Sequence, residues 1–220
     1  FLRGYGDDCI YPNTIAPPPD QEEYRRRFSV IKDFGFNFVR NHSWIPLPEY
    51  LDTADEVSML VQSEFPIAGP GVLAATPAAK ELYLKLWQEV IRRNRNHPSI
   101  AVWCMGNEIW NGFEQAPEMY RLAKQLDPTR PVIDSNGLHR PRIDPSGTGS
   151  ISGQHRATLD FWPWQFSESQ SFGFKDDKYR FDPTERPVVA HEIGYFATLP
   201  DLRQLGLFHD GLKPFWLTEA

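Results

Sequence analysis

What constrains this chain most is a repeated unit, a short apolar run that ends in polar or charged side chains and is followed by a stretch with helical spacing. "FNFVR" runs into Asn41 and His42, "SMLVQSEFP" carries Glu64, and "IAVWCMGNEIW" reaches Asn107 and Glu108. "RPVIDSNG" reaches Asp134 and Asn136, and "RPVVAHEIGYF" reaches His191 and Glu192. Short apolar runs bounded by turn residues read as buried strands. Strands that alternate with helical stretches build βα units around a parallel sheet, not a sandwich or a bundle.

Local signals set the intervening helices. A helix is expected over 20–34, with Asp20 and Glu23 as a capping box, Tyr24, Phe28 and Ile31 as its apolar stripe, and Gly35 as its stop. A short helix through Tyr50, Leu51, Ala54 and Val57 follows the second strand. The longest helix takes Thr76 as N-cap and Pro77 at its first position, with Leu82, Leu86, Trp87, Val90 and Ile91 on one face. Met119, Leu122, Ala123 and Leu126 mark the next. "FLRGYG" reads as the first strand and "TLDFWPWQF" as a weaker sixth. The expected fold class is α/β, a (β/α)8 TIM barrel over a single domain, 1–220, incomplete at its C-terminus because an eighth strand is not evident.

Composition excludes several function classes. A net charge of −6 and basic clusters limited to "YRRRF" and "IRRNRN" argue against nucleic acid as a partner. No apolar run is long enough to cross a membrane as a helix. Cys9 and Cys104 form no metal pair or disulfide framework, and the six histidines lack the spacing of a metal-dependent barrel hydrolase. No metal and no cofactor are expected. The chain opens without an initiating methionine inside a strand-like segment, as a piece of a longer protein would, and its localisation is not legible.

Polar residues therefore collect where strands end, and in a barrel those ends converge on one mouth. Burying an ionised carboxylate is costly unless it is paired or its pKa shifts, so Glu108 at the lip of an apolar strand calls for a functional explanation. Two carboxylates facing each other across a pocket suit glycoside hydrolysis, in which one protonates the leaving oxygen and the other attacks or activates water.

Three segments carry a resemblance. "NHPSIAVWCMGNE" resembles the acid/base signature of glycoside hydrolase family 2, the group of β-galactosidases, β-glucuronidases and β-mannosidases. "FGFNFVRNHSWIPLPEYLDTADEVSMLVQSEFP" is similar to the same family's second and third strands, and "RPVVAHEIGYF" to its nucleophile strand. The resemblance implies a retaining β-glycosidase acting on an oligo- or polysaccharide, with Glu108 as general acid/base and Glu192 as nucleophile. It implies that Asn107 binds the sugar 2-hydroxyl, that Arg40 keeps Glu192 ionised, that His42 contacts substrate hydroxyls, and that β-sandwich domains accompany the barrel in the full-length parent. Asp7 and Asp8 either bind sugar hydroxyls or hold the loop "GDDCIYP", and Asp8 stands among the substrate-binding candidates. Glu64 either lines the pocket or makes a structural hydrogen bond. Trp44, Trp110, Trp162 and Trp164 offer rings on which a sugar can stack, whereas Trp103 and Cys104 are expected to pack. The family's strand eight tryptophan is not evident, and its strand six tyrosine is missing from "TLDFWPWQF", so Tyr195 or Trp162 is expected to border the site instead. The rival reading is a non-catalytic carbohydrate-binding barrel, or an inactive fragment of such an enzyme.

Overall fold

The computed structural model describes residues 1–11, 14, 16–68, 76–109, 115–134, 160–165 and 187–191. Among these, the elements run β1 (Gly4–Asp7), α1 (Gln21–Asp33), β2 (Phe38–Asn41), α2 (Pro48–Val57), β3 (Leu60–Glu64), α3 (Pro77–Asn94), β4 (Ile100–Cys104), α4 (Ala116–Leu126), β5 (Val132–Ile133), β6 (Trp162–Gln165) and β7 (Val188–His191). Strands β1 to β5 pair in sequence order and β6 pairs with β7, all in parallel. The segment entering β6 lies beside β5: Asp160 N donates to Val132 O at 2.9 Å, and the Asp160 carboxylate accepts from Val132 N at 2.7 Å.

Two apolar clusters define the two faces of this curved sheet. The outer one joins Tyr24, Phe28, Tyr50, Leu51, Trp87, Ile91 and Met119 of the helices to Val39, Val61, Trp103 and Val132 of the strands. The inner one draws Phe38, Leu60, Val102, Cys104, Ile133, Phe161 and Val189 together from β2, β3, β4, β5, the approach to β6, and β7. Side chains that meet from so many strands fill the inside of a barrel. Because side chains alternate along a strand, Arg40 shares the inner face with Phe38, and Gln62 and Glu64 share it with Leu60. A bulge keeps β4 in phase: Val61 pairs with Ile100 but Gln62 with Val102, so Ala101 is the extra residue.

The helices follow their end signals, with two differences. Asp20 accepts from Glu22 N, but Glu23 does not close a capping box; its carboxylate is engaged by Arg26 and Arg27, which hold its pKa down to about 2. Gly35 terminates α1 with φ +87°, and Thr76 caps α3 through Ala79 N. On α3 the buried line is Trp87, Ile91 and Asn94, while Leu82 and Leu86 are 49% and 38% exposed. They sit about 140° and 100° around the helix from Trp87, off the face that meets the barrel.

Two features hold the barrel's ends. At the C-terminal end, β3 and β4 stay together beyond their ladder, with Phe65 N donating to Cys104 O at 2.9 Å and Asn107 N to Ile67 O at 2.8 Å. Gly106 permits this approach, because a Cβ there would drive into the carbonyl of Ile67 and lie 2.7 Å from Ile109 Cδ1. At the opposite end, Arg130 donates to Asp127 at 2.6 Å and to the carbonyls of Arg95 and His97 at 2.8 Å, clamping the α3–β4 turn to the start of β5.

Gly106→Ala should therefore lower stability by about 2–3 kcal/mol, whereas Gly6→Ala, which meets nothing within 4 Å, should stay within about 0.5 kcal/mol. Urea midpoints separate the two, and equal effects would contradict the close approach. Burial would by itself raise the Asp127 carboxyl, but hydrogen bonds from Thr129, Trp103 and Arg130 outweigh it and hold the group below the usual aspartate range. An acid with a depressed folded pKa contributes stability that is present above its unfolded pKa and lost as pH falls through the folded one. Stability should decline from about pH 4 downward. Asp127→Asn should be less stable at neutral pH by about 1–3 kcal/mol and show a shallower acid decline. Parallel stability-against-pH curves for the two proteins would count against that assignment.

Candidate active site

The C-terminal ends of β1 to β4 bring together a buried polar group whose centre is an ion pair. Arg40 Nε donates to Glu64 Oε2 at 2.7 Å and its Nη2 to Oε1 at 3.1 Å; the two side chains are 8% and 0% exposed. A buried pair is tolerated when further hydrogen bonds satisfy both ions. Here Ser43 donates to Glu64 Oε1 through its Oγ at 2.8 Å and its backbone N at 3.3 Å, and Gln62 Nε2 donates to Oε2 at 3.4 Å. Arg40 Nη2 also reaches Asn107 Oδ1 at 2.6 Å. The pair thus ties β2, β3 and the end of β4 into one rigid layer.

Asn107 and Glu108 leave β4 through an abrupt turn. Asn107 bridges Ala68 as the last sheet-like contact, and Glu108 takes a left-handed backbone with φ +48°. That conformation costs a non-glycine residue about 1–2 kcal/mol and concentrates at functional sites. Glu108 is half-buried. Cys104 below them is inert: burial first, then the neighbouring Glu64 charge, push its thiol pKa well up, and its Sγ donates to Gly106 O at 3.2 Å.

A second network braces the β1 and β2 loops. Asp7 is buried and its carboxylate accepts from Cys9 N at 3.0 Å and Tyr50 Oη at 3.2 Å; burial pushes its pKa up, and these bonds pull against it. Burial and the Asp7 charge keep the Tyr50 proton on, while Asn41 Nδ2 donates to Tyr50 Oη at 3.0 Å. The Asp7 carbonyl accepts from His42 N at 2.9 Å and Trp44 Nε1 at 2.8 Å. Asp7 therefore holds the loop. Exposed Asp8 contacts His42 Nδ1 at 2.8 Å, and His42 Nε2 is buried and has no hydrogen-bond partner among the described residues. Trp44 is a core residue, its ring 5.1 Å from that of Tyr50, and Trp103 is fully buried beside Trp87 at 6.4 Å.

Of the residues singled out from sequence, Arg40, Asn107 and Glu64 are joined directly, and Asp8 and His42 form a neighbouring pair. Trp162 lies on β6. Trp110, Glu192 and Tyr195 lie outside the described residues, Glu192 being the residue that follows His191 at the end of β7. Gln62 was legible in principle, since Gln62-x-Glu64 places both side chains on one face of a strand. Ser43 and Tyr50 carried no such signal: one acts through a left-handed loop residue with φ +42°, the other through the tip of a core side chain.

Residues 19–157 match the family model described as "Glycosyl hydrolases family 2, TIM barrel domain". A protein of Formosa agariphila named putative beta-glucuronidase is 40% identical over 86% of this chain and 18% of its own length. A beta-galactosidase of Photobacterium profundum is 32% identical over 62% of the chain and 14% of its own. Among solved structures, Bacteroides uniformis beta-glucuronidase 2 superposes with a TM-score of 0.59 at 24% identity, covering 75% of this chain and 20% of that one. The beta-D-glucuronidase of Dictyoglomus thermophilum gives 0.62 at 20% identity, covering 77% and 30%. The structural likenesses show the barrel fold, and the chain spans less than a third of each relative's length. The family match covers Arg40, Glu64, Asn107 and Glu108, and the chain belongs to glycosyl hydrolase family 2, within that family's TIM barrel domain.

Proposed function

We propose that this chain carries the catalytic residues of a retaining β-glycosidase that cleaves O-glycosidic bonds by double displacement. The observation that supports this most is the strained, half-buried Glu108 directly after Asn107, whose amide oxygen is tied to Arg40. In the first step the Glu192 carboxylate attacks the anomeric carbon while the Glu108 carboxyl gives its proton to the departing glycosidic oxygen, leaving a glycosyl ester on Glu192. In the second, the Glu108 carboxylate takes a proton from water as that water attacks the same carbon, and the Glu192 carboxylate leaves. Two inversions retain the configuration.

The support for Glu192 is its motif, "RPVVAHEIGYF", of which Val188–His191 form the last described strand. In this reading Arg40, whose guanidinium is fixed by Glu64, keeps Glu192 in its ionised form through its positive charge. His42, held at Nδ1 by Asp8 and with its side chain 38% exposed, is the proposed contact for a substrate hydroxyl. Trp110, Trp162 and Tyr195 complete the set of proposed sugar contacts. The names of the relatives put β-glucuronides and β-galactosides first among substrates to try.

The test is turnover of a panel of aryl β-glycosides by the intact protein that carries this chain. Glu192→Ala should lose nearly all activity. Glu108→Ala should lose about 10²- to 10⁴-fold with poor leaving groups and much less with activated ones, since only the former need a proton. Azide should partly rescue Glu108→Ala and yield a β-glycosyl azide. Unchanged turnover in Glu192→Ala would overturn the mechanism. Sugar binding with no turnover of any glycoside by the unaltered protein would favour the non-catalytic barrel.

A further inference from the structure

Glu64 is fully buried, faces the barrel interior, and has no part in the two displacement steps. Its surroundings are built for it: the fork of Arg40, both the hydroxyl and the backbone N–H of Ser43, and the Gln62 amide all donate to its two oxygens. A buried ion pair is a weak stability device, because its desolvation cost offsets most of the attraction. What it supplies here is geometry.

The geometry continues to Asn107. A guanidinium has donors and no acceptor, so the atom of Asn107 that meets Arg40 at 2.6 Å must be the amide oxygen. The Asn107 NH₂ then points away from Arg40, and among the described residues it has no partner. The side chain is thereby held as a donor. Were Arg40 free to swing away, the amide could turn over and present its oxygen, or rotate among several positions.

We propose that Glu64, itself held by Ser43, is a positioning residue: it locks the Arg40 guanidinium, and the locked guanidinium presents the Asn107 NH₂ to the sugar 2-hydroxyl. This rests on the reading of Asn107 as the group that binds that hydroxyl. Glu64 touches no substrate. Its effect through Asn107 is therefore confined to substrates that possess the hydroxyl and appears mainly in kcat, because that contact strengthens as the transition state forms, whereas any effect of Arg40 on Glu192 falls on every substrate alike and cancels in the ratio between two of them.

The test measures kcat and KM of the intact protein on an aryl β-glycoside and on its 2-deoxy analogue. Asn107→Ala should flatten the preference for the hydroxylated substrate. Glu64→Gln should lower kcat/KM for that substrate, mostly in kcat, by about 10-fold more than for the 2-deoxy analogue. Ser43→Ala, which removes a single hydroxyl and keeps the ion pair, should show the same selectivity with a loss of about 3- to 10-fold. In the Asn107→Ala background, either substitution should change the ratio between the two substrates by less than about threefold. If Asn107→Ala flattens the preference but Ser43→Ala and any folded Glu64→Gln lower both substrates equally, or neither, the positioning role is overturned and the 2-hydroxyl reading stands. If Asn107→Ala leaves the preference intact, both are overturned.

Discussion

The buried ion pair between Arg40 and Glu64 is the constraint on which the upper half of this barrel depends. Two charges out of water are tolerable only when nearly every donor and acceptor is satisfied, which forces Gln62, Ser43 and Asn107 into fixed positions around them. Those five residues come from β2, its loop, β3 and the end of β4. One requirement therefore sets the relative height of three strands and the path of one loop. Below it the same inner faces turn apolar, with Phe38, Leu60 and Val102 filling the interior. The barrel is a packed core at one end and a polar mouth at the other, and the change occurs within a single alternation along each strand.

Strain is distributed in the same way. Among the described residues, three of the four non-glycine residues with positive φ, Cys9, Ser43 and Glu108, each follow the C-terminal end of a strand, and the fourth, Ser58, is a helix cap. Each left-handed backbone costs about 1–2 kcal/mol and is held by its surroundings: Cys9 by the Asp7 carboxylate, Ser43 by Glu64, and Glu108 by the Gly106–Ile67 approach just before it. Stabilising contacts without chemistry, such as Asp127 with Arg130 and Asp55 with His97, gather at the opposite end. Chemistry and support are thus separated along the barrel axis.

Much of this was legible in the residues. Apolar runs that end in polar side chains marked the strands and their chemical ends, and Asp20, Gly35, Thr76 and Pro77 act at the helix ends as local chemistry dictates. What was not legible depends on partners distant in sequence. The buried face of α3 is set by where the barrel lies, which left Leu82 and Leu86 exposed. Glu23 had two competing uses, and the nearby arginines won over the backbone amide. The bulge at Ala101, the role of Ser43 and the link from Tyr50 to Asp7 exist only once strands are in register. Arg40 and Asn107 were readable as site residues, but their direct bond was not, since 66 positions lie between them.

In the proposed mechanism the Glu192 carboxylate forms a covalent bond to the sugar while Glu108 handles the proton. Peptide mass spectrometry of the intact protein after inactivation by a 2-deoxy-2-fluoro β-glycosyl fluoride tests it most directly, because that reagent stalls the reaction at the glycosyl ester. The account predicts a single fluoroglycosyl group on Glu192, in the peptide that contains "VVAHEIG". A label on Glu108, or on no carboxylate while the protein turns over its substrate, would contradict it.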